Sequence, residues 1–219
     1  MSALNARKAL IFDLDGTLWD SSQQCADAWT AALADTPAAR RVTAEDMHRF
    51  MGRTMREIAD MLFPELEQEQ RKELMELCVR SEDAWLETHC GTLYEGVRET
   101  LGRLGESYRL FIVSNSQDGY VQLFLRTTGL AEYFEDYEMW GRTLLPKGEN
   151  IRLVMERNGV TRAAYIGDTQ GDCDAAASAG VPFIHAAYGF GTAFGAAAVL
   201  NSITQLPEAA QRVFAEESR

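Results

Sequence analysis

Two aspartates near the start of the chain lie directly after a short apolar run. Residues 9–12 (Ala-Leu-Ile-Phe) have the composition of a buried strand, and Asp13 and Asp15 follow it before a turn at Gly16. In an open α/β sheet, the loops at the carboxyl ends of the strands form the ligand crevice. Side-chain alternation would place both carboxylates on one side, where their charges repel unless a cation or a shared proton relieves them.

Such a pair suits covalent catalysis, in which one aspartate acts as a nucleophile and its neighbour, with a raised pKa, serves as general acid and base. These residues alone are about equally compatible with an ordinary strand-to-turn junction that carries two solvated aspartates, because Asp before Gly is a common turn signal. Other positions of the chain must therefore separate the two interpretations.

A second acidic stretch begins where another apolar strand ends. Gly167 and Asp168 close that strand, and Asp172 follows four residues later at the opening of a predicted helix. Two carboxylates at this spacing can converge on one hard cation, which keeps water and phosphate oxygens in its remaining coordination positions. Asp174 lies close by, and an aspartate at a helix N-terminus is also favoured for structural reasons alone. The stretch therefore predicts a metal site without deciding which later aspartate joins Asp168.

Two further polar positions predict a phosphate site. Ser114 follows the apolar strand 108–113, so its hydroxyl and the backbone N–H groups around Asn115 can donate to a phosphate in the same crevice. Lys147 opens a predicted helix, where its charge opposes the helix dipole unless an anion lies nearby. Taken singly, a helix-capping serine and a solvated lysine are the simpler interpretations. Together with the aspartates, they favour phosphoryl chemistry.

The elements that must position these residues alternate along the chain. Strands are predicted at 9–12, 108–113, 137–140, 163–166 and 181–185, and helices at 96–104, 121–130, 148–157, 171–179 and 206–214. This alternation predicts a parallel sheet with helices on both faces. Between Asp20 and Gly91 only helical patterns occur, at 20–34, 43–50, 55–62 and 66–88. We therefore predict an α/β fold, with a doubly wound parallel sheet formed by residues 1–19 and 92–219 and a small all-helical cap domain formed by residues 20–91.

Residues 13–21, Asp-Leu-Asp-Gly-Thr-Leu-Trp-Asp-Ser, resemble the first motif of the haloacid dehalogenase superfamily of phosphohydrolases. Ser114, Lys147 and the segment 165–176 resemble its other motifs in the same order. The resemblance extends from about residue 8 to residue 191 and is greatest to the phosphoglycolate phosphatase-like branch. It implies a Rossmann-like core, a helical cap inserted after the first motif, and Mg²⁺-dependent phosphoryl transfer through an aspartyl-phosphate.

The resemblance also implies a role for individual residues. Asp13 would attack phosphorus, Asp15 would protonate the leaving alkoxide and later activate water, and Ser114 and Lys147 would neutralise the developing charge. The implied metal ligands are Asp13, Asp15, Asp168 and Asp172, and the implied substrate-binding residues are Thr17 and Asn115. Asp172 is favoured over Asp174 because Ala175, Ala176 and Gly180 match the family's spacing from Asp172.

The cap contributes one candidate substrate contact. The loop 51–54 (Met-Gly-Arg-Thr) carries the cation of Arg53 beside a glycine, and this cation could face the crevice and contact the leaving group. An interhelical turn with a solvated arginine is an equally good interpretation. Trp19 could likewise line the pocket or only pack under the cap. The histidines show no ligand spacing, and we interpret His48, His89 and His185 as surface or satisfied core residues.

Composition limits the classes of partner. A hydrophobic content of 46% in 219 residues is ample for a core without disulfides, and the four cysteines form no Cys-x-x-Cys pair. The net charge of −12 argues against a nucleic-acid or anionic-membrane partner. With no apolar stretch of membrane-spanning length, we expect a cytoplasmic monomer or homodimer whose partner is a small phosphorylated metabolite.

These features predict a phosphatase that acts on a phosphoglycolate-like phosphomonoester. A haloacid dehalogenase lacks an acid two residues after the nucleophile, so Asp15 argues against that activity. A sugar phosphomutase of the β-phosphoglucomutase type would keep all the acids and differ mainly in its cap. A catalytically idle binding protein on the same fold is the alternative from another class, although no motif position has been lost.

Overall fold

The computed structural model describes residues 8–216, and its centre is a parallel β-sheet. The strands are β1 (Lys8–Phe12), β2 (Trp19–Asp20), β3 (Thr92–Leu93), β4 (Arg109–Ser114), β5 (Asp136–Met139), β6 (Arg162–Gly167), β7 (Phe183–Ala186) and β8 (Ala198–Leu200). The helices are α1 (Ser22–Leu33), α2 (Ala44–Phe50), α3 (Met55–Leu62), α4 (Gln68–Leu86), α5 (Val97–Gly105), α6 (Tyr120–Thr128), α7 (Trp140–Thr143), α8 (Lys147–Arg157), α9 (Gln170–Ala179) and α10 (Leu206–Glu216). Of the predicted core, residues 1–7 and 217–219 lie outside the described range.

The order of strands in the sheet is β5-β4-β1-β6-β7-β8, and every neighbouring pair is parallel. The predicted α/β fold with a parallel sheet is therefore confirmed. Phe12 at the end of β1 pairs with Ile112 on β4 and with Ile166 on β6. The residues that follow these three strands consequently meet at one edge of the sheet, as the chemistry requires.

The two faces of the sheet bury separate apolar clusters, because side chains alternate along each strand. Leu10 and Phe12 of β1 belong to the cluster that includes residues of α5, α6 and α10, whereas Ala9 and Ile11 belong to the cluster that includes residues of α8 and α9. All four side chains are fully buried. Helices thus cover both faces, as in a doubly wound fold.

The helices α1–α4 form the segment predicted as a cap. Trp29 of α1 and Cys78 of α4 are fully buried between them, and Glu82 of α4 accepts a hydrogen bond from Trp29. Nothing in this packing tests the predicted division into two domains, which stays a prediction. None of the helices in residues 8–216 is both long and apolar enough to cross a lipid bilayer.

Four short elements were not predicted. β2 and β3 pair antiparallel through Trp19 with Leu93 and through Asp20 with Thr92, so the two connections between cap and core form one ribbon. β8 adds an edge strand, and α7 is a single helical turn. Segments of two to four residues carry too few positions for a periodic pattern, which is why the sequence did not show them.

Helices α8 and α9 pack so closely that the position after Lys147 has no room for a side chain. A Cβ on Gly148 would overlap Ser178 Oγ and would lie 2.9 Å from the carbonyl oxygen of Ala175. Gly148→Ala should therefore push α8 away from α9 and destabilise the fold by about 1–3 kcal/mol. Because Lys147 begins α8, kcat/KM should fall together with the temperature of thermal unfolding.

Gly105→Ala is the matched control, since Gly105 ends α5 and an added Cβ there meets no atom within 4 Å. This variant should keep both stability and activity. Equal losses in the two variants, or no loss in Gly148→Ala, would show that the close contact between α8 and α9 does not position the lysine.

Candidate active site

At the carboxyl edge of the sheet, one lysine lies between two aspartates. Lys147 Nζ donates to Asp13 Oδ1 at 2.9 Å and to Asp172 Oδ1 at 2.6 Å. Asp168 follows β6, and Asp13, Asp168 and Asp172 offer carboxylate oxygens that lie within 4.8 Å of one another. All four side chains are buried. The fold therefore brings four residues from three separate motifs into one group. We call the three aspartates, Asp13, Asp168 and Asp172, the acidic cluster.

Asp172 has two structural roles. Its Oδ2 accepts from Thr169 N at 3.0 Å and from Thr169 Oγ1 at 2.7 Å, which caps the start of α9. Its Oδ1 is left to face Lys147. Asp174 is exposed and accepts from Gln170 instead, so Asp172 is the aspartate of α9 that reaches the site.

The acidic cluster fits a hard divalent cation. In the described part of the chain, the buried Asp168 Oδ1 has no hydrogen-bond partner, whereas Asp168 Oδ2 accepts from Phe190 N at 2.8 Å and Gly191 N at 3.2 Å. Burial and the charge of Asp172 raise the pKa of Asp13 well above its usual value, and they raise the pKa of Asp168 to about 7. A cation with oxygen ligands would relieve this repulsion and give Asp168 Oδ1 a partner.

Asp15 lies outside the acidic cluster. Its Oδ1 accepts from Trp19 Nε1 at 2.9 Å, from Ser21 Oγ at 2.8 Å and from the Tyr120 hydroxyl at 3.0 Å. Burial raises the pKa of Asp15 to about 6, although the three hydrogen bonds oppose the shift. A carboxyl group with this pKa can release and recover a proton near neutral pH, which general acid–base catalysis requires.

The expected repulsion between Asp13 and Asp15 is not what raises the pKa of Asp13. Beside burial, the carboxylates that raise it are Asp172 and Asp168. β1 ends before Asp13, and the chain turns at Gly16, where φ is 79°. The later aspartates, which the fold brings to Asp13, therefore matter more for its pKa than Asp15 does. The two aspartates consequently have separate surroundings.

A cleft lies between the acidic site and the cap, with about 470 Å³ of empty space including its open mouth. Core residues on its lining are Asp13, Asp15, Ser114, Asn115, Ser116, Gln117 and Tyr120. An apolar surface, the cap wall, lines the other side and consists of Cys25, Trp29, Met47, Phe50, Met51, Met55 and Ile58. Gly52, Arg53 and Glu82 also contribute. Both catalytic candidates, Asp13 and Asp15, therefore face a space that a small substrate can occupy.

The predicted phosphate and substrate contacts are placed differently. Ser114 is buried at the end of β4 and lines the cleft, with its Oγ accepting from Ser116 N at 3.2 Å. Asn115 also lines the cleft, and its Nδ2 donates to the carbonyl oxygen of Gly52 in the cap at 2.8 Å. Thr17 is fully buried away from the cleft lining, and its hydroxyl has no hydrogen-bond partner within residues 8–216. Its predicted contact with substrate stays a prediction.

Two cap residues carry charge at the cleft. Arg53 is exposed at the mouth, where its Nε donates to the carbonyl oxygen of Arg49 at 3.3 Å. Glu82 is buried, with 3% of its surface exposed, and it was not predicted. Glu82 lies four residues after Cys78 and four before Leu86, on the buried stripe of α4, where the sequence pattern predicts apolar side chains. Only the packing of α4 against α1 shows that this glutamate is buried with partners.

The histidines are not part of the acidic cluster. His185 Nε2 lies 3.1 Å from the carbonyl oxygen of Asp168 and so contacts the loop after β6. The ring of His48 stacks on Phe190 at a centroid distance of 4.4 Å, which adds a contact between cap and core. Their surroundings agree with the interpretation of satisfied histidines.

Fold and site together define an α/β protein with a buried acidic centre at the carboxyl edge of a parallel sheet. The family model described as haloacid dehalogenase-like hydrolase matches residues 10–186. A phosphoglycolate phosphatase from Vibrio vulnificus (strain CMCP6) is 30% identical over 199 residues, covering 84% of this chain and 85% of that protein. Pyrophosphatase PpaX from Listeria welshimeri is 29% identical over 175 residues, covering 78% of each chain.

A comparison with solved structures finds proteins of similar fold. A haloacid dehalogenase-like family protein from Streptococcus pneumoniae superposes with a TM-score of 0.78 at 19% identity, covering 94% of this chain and 99% of that one. The chain therefore belongs to the haloacid dehalogenase-like hydrolases. The prediction of this family, and of a phosphoric monoester hydrolase within it, is confirmed.

Proposed function

We propose that the chain is a Mg²⁺-dependent phosphatase that hydrolyses a small phosphomonoester, of about the size of phosphoglycolate, through an aspartyl-phosphate on Asp13. The observation that carries this proposal is that Asp13 is held by Lys147 within the acidic cluster and also lines the cleft. Relatives named phosphoglycolate phosphatase and pyrophosphatase support a phosphorylated substrate.

In the first step, a carboxylate oxygen of Asp13 forms a bond to phosphorus while the bond from phosphorus to the leaving oxygen breaks. Asp15, with its pKa of about 6, gives its proton to that oxygen. The positive charge of Lys147 and the hydroxyl of Ser114 offset the negative charge that develops on the phosphoryl oxygens. The leaving group departs as an alcohol.

In the second step, Asp15 takes a proton from water, and the water oxygen attacks the phosphorus of the aspartyl-phosphate. The bond from phosphorus to Asp13 breaks, which releases phosphate and restores the carboxylate. The hydrogen bonds from Trp19, Ser21 and Tyr120 keep Asp15 oriented for both proton transfers.

Mg²⁺ would be held by the acidic cluster of Asp13, Asp168 and Asp172. When bound, it supplies positive charge beside the phosphoryl oxygens. Asp15 was predicted as a fourth metal ligand, but it lies outside the acidic cluster, and its Oδ1 accepts three hydrogen bonds from other residues. Asp15 is proposed only as the acid and base.

Asp13→Asn should abolish turnover, because an amide cannot act as an anionic nucleophile but keeps the shape of the side chain. We expect a loss of at least about a thousandfold in kcat, measured as release of inorganic phosphate from a panel of phosphorylated metabolites. Thermal unfolding should be unchanged or occur at a higher temperature, since a carboxylate is removed from the crowded site.

Asp174→Asn is the matched control, because the same change at an exposed position of α9 should leave turnover intact. More than a small residual activity in Asp13→Asn would refute the nucleophile assignment. Substrate isomerisation by the wild type without release of phosphate would instead favour a phosphomutase.

Removal of divalent metal should stop turnover, and Mg²⁺ should restore it. Metal binding also has a readout without catalysis: at a hundredfold excess over its dissociation constant, a ligand stabilises the folded state by about 2.7 kcal/mol. Mg²⁺ should therefore raise the unfolding temperature of the wild type, and Asp168→Asn should reduce that shift. Full activity in excess chelator, or an equal shift in the variant, would contradict the proposed site.

A further inference from the structure

The inner end of the cleft contains buried acid and no buried cation among the described residues. Apart from Asp13 and Asp15, the charged side chains on the lining are Glu82 and Arg53. Arg53 is exposed at the mouth, so solvent screens its charge. Lys147 is already engaged by Asp13 and Asp172 and is not on the lining. A substrate group beyond the phosphoryl therefore meets an environment without a compensating positive charge.

Glu82 is held rigidly where the cap meets the core. Its Oε2 accepts from Trp29 Nε1 at 2.5 Å, and its Oε1 accepts from Gln117 Nε2 at 3.0 Å. Burial, together with the charges of Asp15 and Asp83, raises the pKa of Glu82 to about 8, although the hydrogen bonds from Gln117 and Trp29 oppose the shift. Cys25, Cys78 and Tyr120 are the other titratable groups that Glu82 influences. All of these neighbours are acids, so no positive charge of the described residues lies beside Glu82, and Glu82 itself becomes negative above a pH of about 8.

Two buried oxygens on the same lining lack partners within residues 8–216. Ser116 Oγ is one, and only 7% of that residue is exposed. Asn115 Oδ1 is the other, whereas the amide nitrogen of Asn115 donates to the carbonyl oxygen of Gly52. Buried polar atoms are nearly always hydrogen-bonded in folded proteins. Their position on the cleft indicates that a ligand supplies the missing bonds.

The chemistry of these oxygens selects the ligand. Asn115 Oδ1 only accepts hydrogen bonds, so it needs a donor, which a carboxylate cannot provide. The Ser116 hydroxyl also has a proton to donate, so it needs an acceptor, which an ammonium group cannot provide. A hydroxyl group both donates and accepts. It therefore complements both positions and brings no charge into an end of the cleft to which the described chain contributes no buried cation.

We propose that the leaving group of the substrate is a short, uncharged, hydroxyl-bearing chain, and that Glu82, with Ser116 and Asn115, determines this specificity. The proposal rests on the proposed phosphatase function and narrows its substrate to the phosphate esters of small polyols. The cleft, with about 470 Å³ of empty space including its open mouth, can admit a phosphoryl group and a few carbon atoms. A carboxylate leaving group would lose its hydration there without a buried cation from the described part of the chain beside it, and Glu82, once ionised, would repel it.

Three matched substrates test the proposal on the wild-type enzyme. Hydroxyethyl phosphate, phosphoglycolate and phosphoethanolamine differ mainly in an end group that is a hydroxyl, a carboxylate or an ammonium. Glycerol phosphate and phosphoglycerate form a second pair of hydroxyl and carboxylate. We expect kcat/KM for each hydroxyl compound to exceed that for its charged analogues by about tenfold or more. Equal or higher values for a charged analogue would overturn the proposal.

Variants then test the assignment to Glu82 at a pH above about 8, where this group carries its charge. Glu82→Gln cannot ionise, so the preference for glycerol phosphate over phosphoglycerate should shrink by about threefold or more. Asp83→Asn is the matched control, because Asp83 accepts from the same Gln117 Nε2 at 3.3 Å but does not line the cleft. Its preference should equal that of the wild type. Equal changes in both variants would overturn the role of Glu82, and the wild-type comparison decides the substrate class even if a variant fails to fold.

An aryl phosphate separates this proposal from the proposed function. Hydrolysis of p-nitrophenyl phosphate depends on the acidic site and not on a hydroxyl-bearing leaving group. If it proceeds while phosphoglycolate and phosphoglycerate are preferred over the hydroxyl compounds, the phosphatase function stands and the polyol proposal fails. A carboxylate preference that disappears in Arg53→Ala would assign recognition to the mouth of the cleft instead. No hydrolysis of any ester would refute the function itself.

Discussion

The structure depends on one unfavourable arrangement, in which three carboxylates are buried together around a single lysine. Burying charges is costly unless they are paired, and Lys147 contacts only Asp13 and Asp172. Asp168 is left with a raised pKa and an oxygen without a partner among the described residues. The surrounding fold must hold these groups in place against their repulsion. A ligand that brings positive charge, such as the proposed Mg²⁺, would relieve this repulsion.

The sheet and its helices supply the rigidity that this arrangement needs. β1 is central, so Asp13 is fixed by strands on both sides, and Asp13 N donates to the carbonyl oxygen of Ile166 on β6 at 2.8 Å. Lys147 is fixed by the close packing of α8 on α9. Asp15, two residues after Asp13, is turned into a separate hydrogen-bonded pocket. Two neighbouring aspartates can therefore have different pKa values, as the proposed division into a nucleophile and an acid requires.

Much of this arrangement could be predicted from the sequence, because the residues that carry it follow apolar strands or open helices. Asp13, Ser114 and Asp168 each come after a predicted strand of a parallel sheet, so the topology alone brings them to one edge. Lys147 opens α8, and the anions that meet its charge are carboxylates of the protein itself. The residues that could not be predicted are those whose position depends on packing between distant segments.

Tyr120 is one of these, since it reaches Asp15 across 105 positions of the chain. Glu82 is another, because α4 carries several glutamates and only its contact with α1 selects the one that is buried. The strands β2 and β3 have two residues each, which is too short for a periodic sequence pattern. Thr17 illustrates the opposite case, in which a residue of the first motif lies away from the cleft although its neighbours line it. Sequence motifs thus predicted the acidic edge of the sheet, whereas the side of the cleft that the cap helices line required the structure.

The central claim is that Asp13 becomes phosphorylated during turnover, and trapping that group tests it most directly. An acyl phosphate is reduced by borohydride to an alcohol, so quenching the enzyme with borohydride during turnover should convert Asp13 to homoserine, which peptide mass spectrometry detects. The account predicts homoserine at position 13 only when substrate is present. Modification of a different residue would contradict it. An unmodified Asp13, in enzyme that was quenched while a phosphorylated intermediate had accumulated, would contradict it as well.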